Sequence, residues 1–220
     1  MSAAYFVTGT DTGVGKTLIA CALLHAFVAS GRRAVGMKPV AAGAMAGAWR
    51  NEDVAALAQA GNVAAERTAI NPYLLAEPIA PHIAAQAERV VIDLSVIEHA
   101  FARLSALADV VVVEGVGGFL VPLSEREGTG DLAVRLALPV ILVVGMRLGC
   151  LNHALLTIDA ITARGLRLAG WVANRIDPQM RKAAENIEAL RERISAPLLG
   201  DVPYLSPPDR GVAARSLHLP

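Results

Sequence analysis

The densest chemistry in the chain is Gly9-Thr-Asp-Thr-Gly-Val-Gly-Lys16-Thr17, where a short apolar run stops and a helix-forming run begins. Its glycines let successive backbone N–H groups converge on an anion, Lys16 brings a mobile positive charge, and Thr17 offers a hydroxyl to Mg²⁺. A helix starting here adds the positive end of its dipole. This chemistry is the binding of nucleotide phosphates. There is one departure from the usual spacing: five residues rather than four separate Gly9 from Gly15.

Further polar residues stand where other apolar runs end. Asp109-Val-Val-Val-Val-Glu114-Gly115 delivers Glu114 to a strand terminus, where a carboxylate sharing Mg²⁺ with Thr17 belongs, unless it is simply a solvated acid. Gly115, Gly117 and Gly118 keep that end open to a close ligand. Lys38 ends a second run, and Pro39 biases it toward an extended backbone, so it can face the phosphoryl group in transfer as a second cation. Asp53 follows in Arg50-Asn-Glu-Asp53, where a helix starts, and the pattern alone does not separate a metal ligand from a cap formed by Asn51 or Asp53. Gly149-Cys150-Leu151-Asn152-His153 opens another helix. It can accept an anion such as a carboxylate, or be a plain helix start. Asn174-Arg175-Ile-Asp177 closes a further strand, and the Asn174 amide can read a nucleotide base. His25, His99 and His218 show no ligand spacing.

Positioning these groups requires strands whose ends share one edge. Residues 5–8, 34–38, 110–113, 140–144 and 169–173 are short and apolar on every residue, as strands buried on both faces are. Residues 16–30, 54–60, 94–107, 132–137, 151–163 and 178–194 carry helical patterns, several stopped by Gly31, Gly61 or Gly165. Residues 197–205 form one last strand, and Pro207, Pro208 and Gly211 mark loop after it. The Ala/Gly-rich stretch 40–50 and the proline-rich stretch 71–82 also read as loops. The alternation predicts a P-loop NTPase-like α/β fold over residues 1–220 as a single domain, its mostly parallel sheet flanked by helices on both faces. Ligands of such sheets bind at the carboxyl ends of the strands.

Composition narrows the function. With 20 basic and 20 acidic residues the chain lacks the positive field of a nucleic-acid surface, so nucleic acid is not an expected partner. Apolar runs such as 138–146 are too short to cross a bilayer, and no basic stretch followed by an apolar one marks a signal peptide. Cys21 and Cys150 have neither metal nor redox spacing and are expected as reduced thiols. The expected compartment is the cytoplasm.

Taken together, the phosphate loop, Lys38-Pro-Val40, Asn51-Glu-Asp53, Asn71-Pro72, Glu77-Pro78 with Pro81-His82, Glu114-Gly-Val-Gly-Gly118, Leu142-Val-Val-Gly145, Leu148-Gly-Cys-Leu-Asn-His153 and Gly170-Trp-Val-Ala-Asn174 resemble the dethiobiotin synthetases, in order, from residue 5 to about residue 205. The resemblance implies an ATP- and Mg²⁺-dependent homodimeric ligase. Its substrates would be 7,8-diaminopelargonate and CO₂ or bicarbonate: a carbamate forms on one amine, ATP phosphorylates it, and the other amine closes a cyclic urea. Carried over by position, Gly13, Val14, Gly15, Lys16, Thr17 and Leu18 with Gly115, Val116 and Gly117 would hold the nucleotide. Thr17, Asp53 and Glu114 would hold Mg²⁺, and Lys16 and Lys38 would be catalytic. Asn174, Arg175 and Pro203-Tyr204-Leu205 resemble the base-binding parts. Thr12 and Lys38 would meet the substrate, whose carboxylate Gly149, Cys150, Leu151 and Asn152 of the partner subunit would bind. Two departures stand out: Ala42 occupies a position where many members carry a hydroxyl, and Gly13 one where some carry Glu. Rival readings are a regulatory NTPase of the septum-site or partitioning kind, which usually has lysine where Asp11 stands, a GTPase, and an amidoligase acting on a larger acid.

Overall fold

The computed structural model describes residues 2–44 and 51–220. The chain runs β1 (Ala3–Gly9), α1 (Lys16–Ala29), β2 (Ala34–Met37), β3 (Val40–Ala42), α2 (Glu52–Ala60), α3 (Arg67–Ile70), β4 (Tyr73–Leu75), α4 (Pro81–Ala87) and α5 (Leu94–Leu107). It continues through β5 (Val110–Glu114), α6 (Thr129–Leu136), β6 (Val140–Met146), α7 (Cys150–Ala163), β7 (Leu168–Arg175), α8 (Ala183–Arg191), β8 (Leu198–Val202) and α9 (Arg210–Arg215). Six strands form one parallel sheet in the order β2-β5-β1-β6-β7-β8.

The all-apolar strands are explained by what each face meets. In β5, Val111 and Val113 join one core with helices α5 and α6, while Val110 and Val112 join another with α1 and α2. In β6, Ile141 and Val143 belong to the α1 core, and Leu142 and Val144 pack with α7 and α8. Each such valine, fully buried, contributes about 1.5–3 kcal/mol relative to an exposed one. Helices therefore cover both faces of β5 and β6, and a polar residue in the middle of either strand could not be solvated.

The chain order creates the cleft. β1 lies between β5 and β6, and α1 carries the chain across to β2 at the edge, so the carboxyl ends of β1, β2 and β5 open beside one another.

Several expectations need correction. The stretch 40–50, expected as loop, contains β3, and 71–82 contains β4 and the first residues of α4. β3 and β4 pair in parallel as a small second sheet, Val40 opposite Tyr73. Residues 45–50 of that expected loop lie outside the described residues. The tail, expected as loop after Pro208, forms α9: Asp209 caps it by accepting the Val212 N–H at 2.9 Å, and Ala213 is buried in the α1 core, which outweighs Gly211 inside a short helix. The helix expected over 178–194 is shorter, because Asp177 accepts the Gln179 N–H in a turn and Lys182 adopts a left-handed backbone before α8. α6 starts earlier than expected, at Thr129, where Asp131 reaches back to the Gly128 N–H.

Candidate active site

The phosphate loop links the end of β1 to the start of α1. Gly13 (φ 74°) and Gly15 (φ 88°) hold left-handed backbone that side chains resist. At Gly15 an added Cβ would also stand 2.2 Å from Asn174 Nδ2. That amide nitrogen donates to the Val14 carbonyl at 2.8 Å, so the end of β7 braces the loop from behind. By its place at a strand end the Asn174 amide is expected to read a nucleotide base. Here one of its hydrogen bonds is spent on the loop.

Lys16, the first residue of α1, is buried, and its Nζ donates to the Asp11 carbonyl at 2.9 Å. Burial, and then the charge of Lys38, lower its pKa from 10.5 to about 8. Its folded pKa therefore lies below its unfolded value, and between about 8 and 10.5 the unfolded chain holds a proton the folded chain has released. Stability contributed through Lys16 accordingly rises with pH across that window. Lys38 is shifted upward, so its own contribution is lost only above the window. Thermal unfolding of wild type and Lys16→Met as a function of pH should show a difference that moves in favour of wild type as pH rises above about 8. A difference independent of pH would refute this.

The other charged groups meet beside it. Lys38 follows β2 directly, and its backbone is clamped on both sides: its N–H donates to the Ile70 carbonyl at 2.8 Å, and its carbonyl accepts Asn71 Nδ2 at 2.7 Å. The residue is 3% exposed. Nζ donates to Glu114 Oε1 at 2.5 Å, to Asp53 Oδ2 at 3.0 Å and to the Gly115 carbonyl at 3.3 Å. Burial alone would lower the Lys38 pKa, but Glu114 and Asp53 outweigh it and raise it. Burial likewise pushes Asp53 upward, and Lys38 reverses that to a net lowering. Asn51 is the cap of α2, accepting the N–H groups of Asp53 and Val54, while the Asp53 carboxylate is turned toward Lys38. Capping and site chemistry are thus divided between neighbours that the pattern alone could not tell apart.

Glu114, at the end of β5, is fully buried. Oε1 also accepts the Thr17 hydroxyl at 2.8 Å, whereas Oε2 is buried without a hydrogen-bond partner among the described residues. Among the described residues no three His, Cys, Asp or Glu side chains cluster as a complete metal cage. The set Thr17, Asp53 and Glu114 nevertheless fits Mg²⁺, which typically takes one or two carboxylates and completes its shell with phosphate oxygens and water. Glu114 Oε2 is an acceptor with no other partner among the described residues.

These groups line a cleft of about 810 Å³, together with Thr12 and Gly117. The same cleft has an apolar wall made by Pro78, Ile79, Leu120, Val121 and Pro122. Sequence reasoning missed this wall, since it comes from two loops about forty residues apart. Gly117 (φ 62°) turns the loop after β5, where an added Cβ would stand 2.8 Å from Val121. Val116 also lines the cleft, and the Gly115 carbonyl faces Lys38.

Other residues singled out from the sequence lie apart from this cleft. Arg175 spends its guanidinium on Asp201, Nε to Oδ1 at 2.8 Å and Nη2 to Oδ2 at 2.7 Å. Pro203, Tyr204 and Leu205 follow β8, with Tyr204 half-exposed, and Leu18 packs in the α1 core. Gly149 (φ 94°) turns the chain into α7 with no side-chain cap on its N-terminal N–H groups. Cys150 is buried, and burial raises its thiol pKa. Leu151 is partly buried and Asn152 exposed, and none of the four lines the cleft.

A family model described as "AAA domain" matches residues 3–210. The "ATP-dependent dethiobiotin synthetase BioD" of Aromatoleum aromaticum is 61% identical over 219 residues, 99% of this chain and 97% of that protein. The protein of the same name from Nitrosospira multiformis is 58% identical over 204 residues, 93% and 89% of the two chains. Among solved structures, the septum site-determining protein MinD of Pyrococcus horikoshii, complexed with Mg-ADP, aligns with TM-score 0.60 at 16% identity, covering 99% of this chain and 87% of that one. Cobyrinic acid a,c-diamide synthase of Mycobacterium smegmatis, with bound ADP and magnesium, gives 0.56 at 18% identity, covering 97% and 91%. At such identities these two structures share the fold alone, so the MinD likeness carries no regulatory role over to this chain. Sequence kinship of 58–61% over nearly the whole length is of another order, and the chain belongs to the ATP-dependent dethiobiotin synthetase family.

Proposed function

We propose that this chain is a single-domain ATP-dependent cyclo-ligase of biotin biosynthesis, converting 7,8-diaminopelargonate and CO₂ to dethiobiotin with release of ADP and phosphate. The observation that carries the reading is the convergence of Lys16, Thr17, Lys38, Asp53 and Glu114 from four separate segments in one cleft that also has an apolar wall. Polar groups suit a phosphate and a carbamate, and the wall suits an aliphatic chain.

In this reading one amine adds CO₂ and loses a proton, giving a carbamate. A carbamate oxygen takes the γ-phosphoryl group of ATP, and ADP departs. The second amine then attacks the carbonyl carbon, loses a proton and expels phosphate as the ring closes. Lys16 and the loop N–H groups hold the phosphates, and Lys38 faces charge that moves from ATP to the carbamate. Thr12 lines the cleft and would meet the substrate. Thr17, Asp53 and Glu114 would hold Mg²⁺, which when bound neutralises phosphate charge. The base lies toward Asn174, Arg175 and Pro203 to Leu205. Incubation with the diamine, bicarbonate and Mg²⁺-ATP should yield the cyclic urea by mass spectrometry, and its absence with ATP bound would refute the reading.

The substrate's carboxylate is held at the helix N-terminus formed by Gly149, Cys150, Leu151 and Asn152 of a second subunit, in a homodimer. Supporting this are a helix terminus without a side-chain cap, suited to an anion, and its position off the cleft of its own chain. No helix among the described residues is long and apolar enough to cross a membrane. As a member of this biosynthetic family, the enzyme is proposed to work in the cytoplasm. Mixing Asn152→Asp, whose negative charge at the helix terminus repels the substrate's carboxylate, with Lys16→Met subunits should restore about a quarter of the wild-type activity, because random pairing leaves one intact site in each mixed dimer. An active monomer, or no recovery on mixing two inactive variants, would reject the shared site.

A further inference from the structure

Arg147 follows the last residue of β6 and joins two parts of the molecule. Its Nη2 donates to Asp11 Oδ2 at 2.5 Å, and its carbonyl accepts the N–H of Cys150, the first residue of α7, at 3.0 Å. Asp11 in turn organises the phosphate loop. Its Oδ1 accepts the Thr12 N–H at 2.7 Å, and its carbonyl accepts Lys16 Nζ at 2.9 Å. A single arginine therefore connects the loop that carries Lys16 with the glycine turn that presents the N–H groups of α7.

A purely structural purpose explains this poorly. The two side chains are 39% and 48% exposed, and ion pairs this open contribute only about 0–1 kcal/mol. The ends of β1 and β6 are already joined by Thr10 N–H to the Val143 carbonyl and by Gly145 N–H to Thr10 Oγ1. Arg147 does not line the cleft, and its guanidinium faces a carboxylate, so it is not placed as a phosphate ligand.

We propose that Arg147 is a positioning residue that couples the phosphate loop to the first turn of α7, so that nucleotide held by the loop orders the N–H groups at 149–152. The functional meaning rests on the reading that those groups bind the substrate's carboxylate. The coupling itself does not. If the turn serves the neighbouring subunit, nucleotide in one site prepares the carboxylate site of the other.

The test compares full-length wild type, Arg147→Met, Arg147→Lys and Asp11→Asn by Mg²⁺-ADP calorimetry and by amide hydrogen exchange at 148–152 with and without Mg²⁺-ADP. In wild type the nucleotide should slow exchange at 148–152. Arg147→Met and Asp11→Asn should lose that protection and bind ADP about tenfold more weakly, within the usual range for coupled sites. Arg147→Lys, which keeps the charge, should retain most of both. A structural role alone would lower the melting midpoint of the variants while leaving nucleotide-dependent protection intact, and that result overturns the proposal. So does a wild type without such protection, or an Arg147→Met that binds ADP normally. Asp11→Asn breaks the same pair from the other side, so the comparison survives a variant that fails to fold. Formation of the cyclic urea by wild type is scored separately, and its failure would remove the carboxylate reading without touching the measured coupling.

Discussion

Lys38→Met should lower turnover by about 10² to 10³, the usual effect of losing one group that stabilises developing charge. It should also lower stability, an effect that only the burial of the site reveals. Lys38 and Glu114 are 3% and 0% exposed, and without the ammonium the Glu114 carboxylate keeps the Thr17 hydroxyl as its one remaining donor among the described residues. Removing one partner of a buried ion pair typically costs about 3–5 kcal/mol, since the other charge stays buried. Turnover must therefore be measured well below the variant's melting midpoint, beside ATP binding by calorimetry. ATP affinity should change far less than in Lys16→Met, because Lys38 lies outside the phosphate loop. Full turnover in Lys38→Met, or a loss of ATP binding as deep as that of Lys16→Met, would show that Lys38 does not act on the transferring group.

Glu114→Gln keeps the shape of the side chain but removes its charge. The Mg²⁺ concentration needed for half-maximal turnover should rise, and turnover at saturating Mg²⁺ should fall by about 10². The stability loss should be smaller than for Lys38→Met, because Lys38 keeps Asp53, a carboxylate 43% exposed and within reach of water. The double variant is the sharper measurement. With both buried charges gone, its destabilisation should be clearly less than the sum of the single variants, since neither leaves an unpaired ion behind. Denaturant unfolding of the four proteins gives the coupling. Additive losses would mean that the pair is energetically independent, and an unchanged Mg²⁺ requirement would remove Glu114 from the metal's proposed ligands.

Both experiments turn on a pair that lies 76 residues apart in the chain, and this separates what was legible in the sequence from what was not. Gly9 to Thr17 by itself determines a phosphate loop, because its chemistry is local: positive-φ glycines, consecutive N–H groups and a helix start within nine residues. Runs such as Val110 to Val113 likewise determine a strand covered on both faces, since no polar residue marks a solvated side. The rule that ligands meet strand ends then selected Lys38, Glu114 and Asn174 from their positions alone. What those side chains touch is another matter. That Lys38 neutralises Glu114 and Asp53, that Asn174 braces Val14, and that Arg175 is occupied by Asp201 follow from strand order and register, which local patterns do not encode. The same holds for β3, β4 and α9, where three to six residues carry too little periodicity and are held by partners distant in sequence. Asn51 and Asp53 mark the boundary most clearly: either residue type can cap a helix, and only the position of Lys38 in the folded chain assigns the cap to one and the site to the other.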